Sequence, residues 1–169
     1  MSDPAPDIAL ATPAEPTPGE RVSVVRCCYC PIKRIEGMYA GAQACGYEYM
    51  ALTDHSRRVA MAHGLDPARV TRQFREIDKL NTKFKGFTIL KGIEVDILKD
   101  GSLDLPDSTL EKLDVVVASV HSFFDLPREA QTERVVRAME NRHVSILGHP
   151  TGRLIGERAV TASATRCIM

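Results

Sequence analysis

The chain has 169 residues, and its 22 lysines plus arginines balance 22 aspartates plus glutamates, so the formal net charge is zero. That length fits one domain with a real core, and the balance excludes a global basic field for nucleic acid while leaving room for a local patch. Aromatic content of 5% without tryptophan argues against a stacking platform for single strands. No apolar run approaches the ~18–20 residues of a membrane span. No cationic start leads into an apolar core, so neither a secretory signal nor a compartment other than the cytoplasm is expected.

Residues 1–20 hold Pro4, Pro6, Pro13, Pro16 and Pro18 among alanine, threonine and acidic residues. Such a segment cannot bury enough surface to order itself and reads as a disordered tail or linker. A domain over 21–158 is expected to begin at Val22–Val25, a short apolar run able to form a strand. Cys27-Cys28-Tyr29-Cys30 gathers three of the five cysteines, unlike a spaced disulfide framework. Cys27 and Cys30 lack the second ligand pair of a closed zinc site and read as reduced thiols.

The chain then alternates. Ile35, Met38, Ala42 and Cys45 recur at helical spacing, with Gly46 as a stop. Tyr49 to Leu52 is a strand ending at Thr53-Asp54-His55. Asp66 caps a helix with Pro67 at its first position and a stripe of Val70, Phe74, Ile77, Leu80 and Phe84. Phe87 to Ile97 is the next strand, with Glu94 well inside it. A short helix starts at Asp107. Val115 to Val120 is a β-branched run suited to a strand buried on both faces. Pro127 to Glu140 is helical, with Ala130, Val135 and Met139 on one side. Val144 to Leu147 is the last strand, and residues 159–169 form a divergent tail. Alternating strands and helices predict an α/β fold with a parallel sheet or barrel of four strands, or five with Val22–Val25.

Four phrases carry candidate metal ligands at strand ends: Thr53-Asp54-His55, Gly92-Ile93-Glu94, Ser119-Val120-His121 and Gly148-His149-Pro150. A carboxylate embedded in the apolar Ile89–Val95 run is costly unless paired or bound to a cation. Neutral imidazoles ending apolar strands are good ligands for zinc, manganese or iron, and β/α folds gather chemistry at that end of the sheet. His55, Glu94, His121 and His149 are therefore the candidate ligands, while His63 and His143 read as surface residues. A carboxylate bridging two cations could activate water and stabilise a phosphoryl group in flight. Arg57, Arg58 and Arg153 stand beside these phrases and offer bidentate bonds to phosphate.

At this point a family resemblance is legible. Tyr47–Ser56, Leu90–Leu98, Val117–Ser122 and Ile146–Leu154 resemble the polymerase and histidinol phosphatase (PHP) domain, most of all the C-terminal PHP module of bacterial family X DNA polymerases. The resemblance runs from about Ile35 to Arg158. It implies a distorted seven-stranded β/α barrel, retained here in part, and a metal-dependent phosphoesterase. It further implies 3′–5′ exonuclease or end-processing activity in DNA repair, with manganese or zinc as cofactor and iron as a further option. Carried over by position, Glu94 would bridge two metals, His121 and His149 would complete one of those sites, and His55 would belong to a third. Glu94, His121 and His149 would be catalytic, and Arg57 and Arg153 would hold phosphate.

The family opens with His-x-His, which should fall near Ser23 and Val25, and a later ligand near Cys30. None of these matches, and the late Asp-x-His strands are missing, so a truncated or frame-disrupted product is expected. Three readings follow: a phosphoesterase acting on DNA 3′ ends, a catalytically dead remnant or interaction module, and a histidinol-phosphatase-like enzyme acting on a phosphorylated small molecule. An uncovered barrel edge would favour self-association.

Overall fold

A computed structural model describes residues 22–25 and 32–150 of the chain. Five strands, β1 (Val22–Val25), β2 (Tyr49–His55), β3 (Thr88–Asp96), β4 (Val115–Ser119) and β5 (Ile146–Leu147), alternate with four helices. These are α1 (Ile32–Ala44), α2 (Pro67–Lys83), α3 (Asp107–Leu110) and α4 (Arg128–Met139). Every neighbouring pair is parallel, and the spatial order β1-β2-β3-β4-β5 repeats the chain order. The expected α/β architecture is present as an open sheet among the described residues. The Cys27–Cys30 cluster and both tails lie outside them. No helix there is long and apolar enough to cross a membrane.

Strand alternation divides the sheet into two unlike faces. Register aligns Met50 with Ile89, Ile93 with Val116 and Val95 with Ala118. These residues form two apolar clusters with Ile35 and Ala42 of α1, Val70, Phe74, Ile77 and Leu80 of α2, Leu110 of α3, and Val135 and Ala138 of α4. All four helices therefore cover one face. The opposite alternation places His55 beside Glu94, and Asp96 beside Ser119. One face is a core and the other holds the polar chemistry.

The caps explain why the elements start and stop where they do. Asp66 accepts from the Arg69 amide at 2.8 Å, and Pro67 needs no donor at the first helical position. β2 runs on to His55, beyond the expected end at Leu52, because β3 continues alongside it residue for residue as far as Glu94. β5 shrinks to two residues, although Ser145 and Gly148 extend its hydrogen bonding to Val116 and Ala118.

The buried face of α4 shares only Val135 with the apolar side read from the sequence. Gln131, Arg134, Val135 and Ala138 are buried, whereas Met139 is 44% exposed. An apolar-stripe reading fails here because α4 backs partly onto polar backbone. Arg134, 1% exposed, donates to the carbonyls of Ser122, Phe123 and Ile97.

Ile77 lies on the α2 face that seals this core and is fully buried. Ile77→Ala should cost about 2–5 kcal/mol through lost burial and the cavity left behind. Asp66→Ala should cost about 1 kcal/mol through the lost cap. Denaturant unfolding midpoints of the two variants check the order, and equal losses would contradict this account of the core.

Candidate metal centre

β2, β3 and the segments after β4 and β5 each end by delivering one side chain to the same place. In Thr53-Asp54-His55 the alternation sends Asp54 to the helix face, where Gln73 of α2 donates to its carboxylate. His55 goes to the other side with Glu94. The glycines of two phrases have a steric cause. A Cβ on Gly92 would lie 2.7 Å from the Leu52 carbonyl, and one on Gly148 would lie 2.1 Å from Ser119 Oγ. A side chain at Gly92 would press on the β2 backbone, and one at Gly148 would displace the Ser119 and Val117 side chains of β4.

Glu94, 5% exposed, is the centre of the group. Its Oε1 lies 3.2 Å from His121 Nε2 and 3.1 Å from His149 Nε2, and those two nitrogens are 3.2 Å apart. Its Oε2 faces His55 Nδ1 at 3.7 Å. The His55 and His121 rings meet edge to face with centroids 4.9 Å apart. His149 sits at φ 27°, a left-handed conformation that costs energy outside glycine. Sustained strain at a convergent polar site points to function.

The donor set fits a divalent cation. Nitrogen and oxygen ligands about 2.1 Å from one ion stand about 3.0–3.4 Å apart in octahedral or tetrahedral geometry, which is the spacing within the Glu94–His121–His149 triangle. His55, Glu94 and His121 likewise offer ligand atoms within 4.8 Å of one another. The two Glu94 oxygens face different imidazoles, so this carboxylate has the geometry of a bridge.

Behind the triangle lies Asp96, fully buried, a residue that none of the four strand-end phrases includes. Its Oδ1 accepts from the His121 amide at 2.9 Å and lies 3.5 Å from His121 Nδ1. Its Oδ2 accepts from Ser122 Oγ at 3.0 Å and forms an ion pair with Arg58, whose Nε lies 3.0 Å away. A carboxylate on the far nitrogen of a ligating imidazole sets its tautomer and aims the other nitrogen at the metal. Asp104 accepts from the amides of Asp96 and Arg58. One signal could have found Asp96: it shares the strand parity of Glu94.

Burial alone would raise the Glu94 carboxyl, but hydrogen bonds from His121, His149 and Ser119, with charge at His55, hold it far below the usual range. Burial pushes Asp96 up as well, and its bonds to His121 and Ser122 bring it below normal. Burial would lower His121, yet its bonds to Asp96 and Glu94 raise it to about 9. Of the remaining predicted residues, Arg57 is exposed and Arg153 lies outside the described residues. His63 is exposed and His143 half-buried. A cleft lined by Glu48, Asn81, Lys85 and Thr88 lies at the strand starts, six residues or about 20 Å along the sheet from the cluster.

Fold and cluster define a class: a parallel α/β protein with a histidine–carboxylate group suited to a divalent cation at the carboxyl ends of its strands. No family model matches the chain. It is 51% identical over 121 residues, 70% of its length, to the DNA polymerase/3′-5′ exonuclease PolX of Bacillus subtilis, of which it spans 21%. It is 37% identical over 109 residues to a probable phosphatase of a Thermoanaerobacter species, covering 62% of this chain and 42% of that one. A probable phosphatase of Clostridium botulinum is 43% identical over 79 residues, covering 45% of this chain and 32% of its own. The chain thus spans less than half the length of these relatives.

The raised His121 pKa has a signed consequence. Pairing of the protonated ring stabilises the metal-free fold fully below its ordinary value of 6.5, and that contribution is lost as pH rises through about 9. Metal ligation must displace the same proton, so affinity should climb across the same interval. Unfolding curves with chelator and with zinc, from pH 6.5 to 9, should diverge. Unchanged pH dependence in His121→Ala would count against this assignment.

Proposed function

We propose that the chain is a PHP-type metal-dependent phosphoesterase domain, related to the exonuclease portion of family X DNA polymerases and acting on phosphodiesters at DNA 3′ ends. The Glu94–His121–His149 triangle, with ligand atoms 3.1–3.2 Å apart, carries this reading. The exonuclease and phosphatase names of the relatives support it. So does the sheet, since strands in chain order with all helices on one face are what part of a β/α barrel would present.

Glu94, His121 and His149 would hold one cation, and the second Glu94 oxygen with His55 would serve a neighbouring one. Manganese or zinc suits this mixture of nitrogen and oxygen donors, as does iron. Such a cation lowers the pKa of water and polarises a phosphoryl oxygen. The protein's own part is to keep His121 in one tautomer through Asp96 and to hold Glu94 ionised. Those roles keep one carboxylate oxygen and two ring nitrogens, 3.1–3.2 Å apart, together as candidate ligand atoms.

A specific observation favours a second reading, metal binding without turnover. The positions where the family places its opening histidines, Ser23 and Val25, lie in β1. They pair in register with Met50 and Leu52, and neither is an imidazole.

Manganese, zinc and iron content, with hydrolysis of a 3′-labelled oligonucleotide and of simple phosphomonoesters, tests both readings. Bound metal and metal-dependent cleavage of the oligonucleotide are expected. His121→Ala should lose more than roughly 100-fold in metal affinity, since losing an outer partner alone costs ~10–100-fold. Metal without turnover selects the second reading. A preference for phosphomonoesters moves the substrate to a small molecule, and absence of metal binding defeats both readings.

A further inference from the structure

We propose that Arg58 is a phosphate-binding subsite beside the candidate metal centre, with Asp96 as its positioning residue; its assignment to a substrate rests on the phosphoesterase reading above. Three residues beyond β2, the Arg58 amide is held by Asp104 Oδ2 at 3.3 Å. Its Nε lies 3.0 Å from Asp96 Oδ2 and 3.4 Å from Ser122 Oγ. Its guanidinium carbon stands 5.1 Å from the centre of the Phe123 ring. These contacts use the Nε edge and one flat face. Neither Nη group has a partner among the described residues, and the side chain is 42% exposed.

An arginine is ordinarily a mobile surface charge, and ordering it costs side-chain entropy. Here that ordering is already in place. A guanidinium fixed at Nε presents its two Nη groups as a fork, which matches two oxygens of a phosphate. The two oxygens of the Asp96 carboxylate serve Arg58 on one side and His121 on the other. The fork and the metal-facing imidazole are therefore held by the same buried anion. A phosphate gripped by Arg58 would lie next to the Glu94 triangle.

The support beneath Arg58 is built in the same way. Phe123 sits at φ 55°, unfavourable for an aromatic residue. Gln131 Nε2 and Arg134 Nη1 hold its carbonyl at 2.6 and 3.2 Å. Both of these α4 side chains are buried. A partly exposed ring on a strained backbone, whose carbonyl is held by two buried polar side chains, makes sense as a platform. Neighbouring Arg57 is exposed, and no contact among the described residues orients it.

The test follows the Arg58 Nε–H signal by NMR in the full-length chain, assigned by its loss in Arg58→Lys. Inorganic phosphate and thymidine 5′-monophosphate are titrated, with and without zinc. A saturable shift with either ligand is expected. Tighter binding of the nucleotide supports a substrate subsite, and equal binding supports a site for free phosphate. Arg58→Lys should weaken phosphate binding ~10-fold, because a point charge replaces a fork, while zinc affinity stays within ~2-fold. Asp96→Asn should broaden the Arg58 signal and weaken zinc binding by ~10–100-fold. An Nε signal unmoved by both ligands overturns the proposal, as does a loss of zinc affinity in Arg58→Lys equal to its loss of phosphate affinity. Failure of the wild-type chain to bind zinc would instead remove the phosphoesterase reading, and the phosphate titration alone would then judge Arg58.

Discussion

Two carboxylates buried two residues apart on one strand set the terms for everything around them. Glu94 and Asp96 are 5% and 0% exposed, and an ionised carboxylate taken from water costs several kcal/mol unless it is compensated. Compensation comes from every neighbouring strand end. His55 arrives from β2, His121 and Ser122 from beyond β4, His149 from beyond β5, and Arg58 from the loop after β2. The site is the set of groups needed to keep β3 folded with its charges inside.

That constraint also accounts for the unusual face of α4. A helix packed over an ordinary parallel sheet would bury only apolar residues, but α4 buries Gln131 and Arg134. Their task is to bind carbonyls of the segment between His121 and the helix, including that of Phe123. The guanidinium of Arg134 also reaches the Ile97 carbonyl just beyond β3. A buried arginine with three acceptors is acceptable where the same arginine without them would not be. These bonds tie helix, loop and strand end together beside the site.

Much of this was readable from the residues. The α2 stripe, its Asp66 cap and the β-branched β4 were legible because local spacing alone decides them. The four strand-end phrases were legible as candidate ligands because a carboxylate or imidazole interrupting an apolar run is costly to bury without a partner or a cation. Asp96 escaped notice because it looks like a polar strand terminus, and Arg134 because it looks like a solvated helix charge. The partners that stabilise the buried charge lie 25 or more positions away for Asp96 and 11 to 37 positions away for Arg134.

By itself the sequence determined the alternation of strands and helices, the apolar faces of α1 and α2 and the residue types able to bind a cation, since these follow from periodicity and side-chain chemistry. Only the tertiary structure decided which of those residues meet. Register across β2, β3 and β4 is a long-range property, and it places His55 beside Glu94 and Asp96 beside Ser119. It also gives two adjacent exposed arginines different surroundings: Arg58 falls within reach of a buried carboxylate and Arg57 does not. Nothing in the spacing of two consecutive residues on a loop could have separated them.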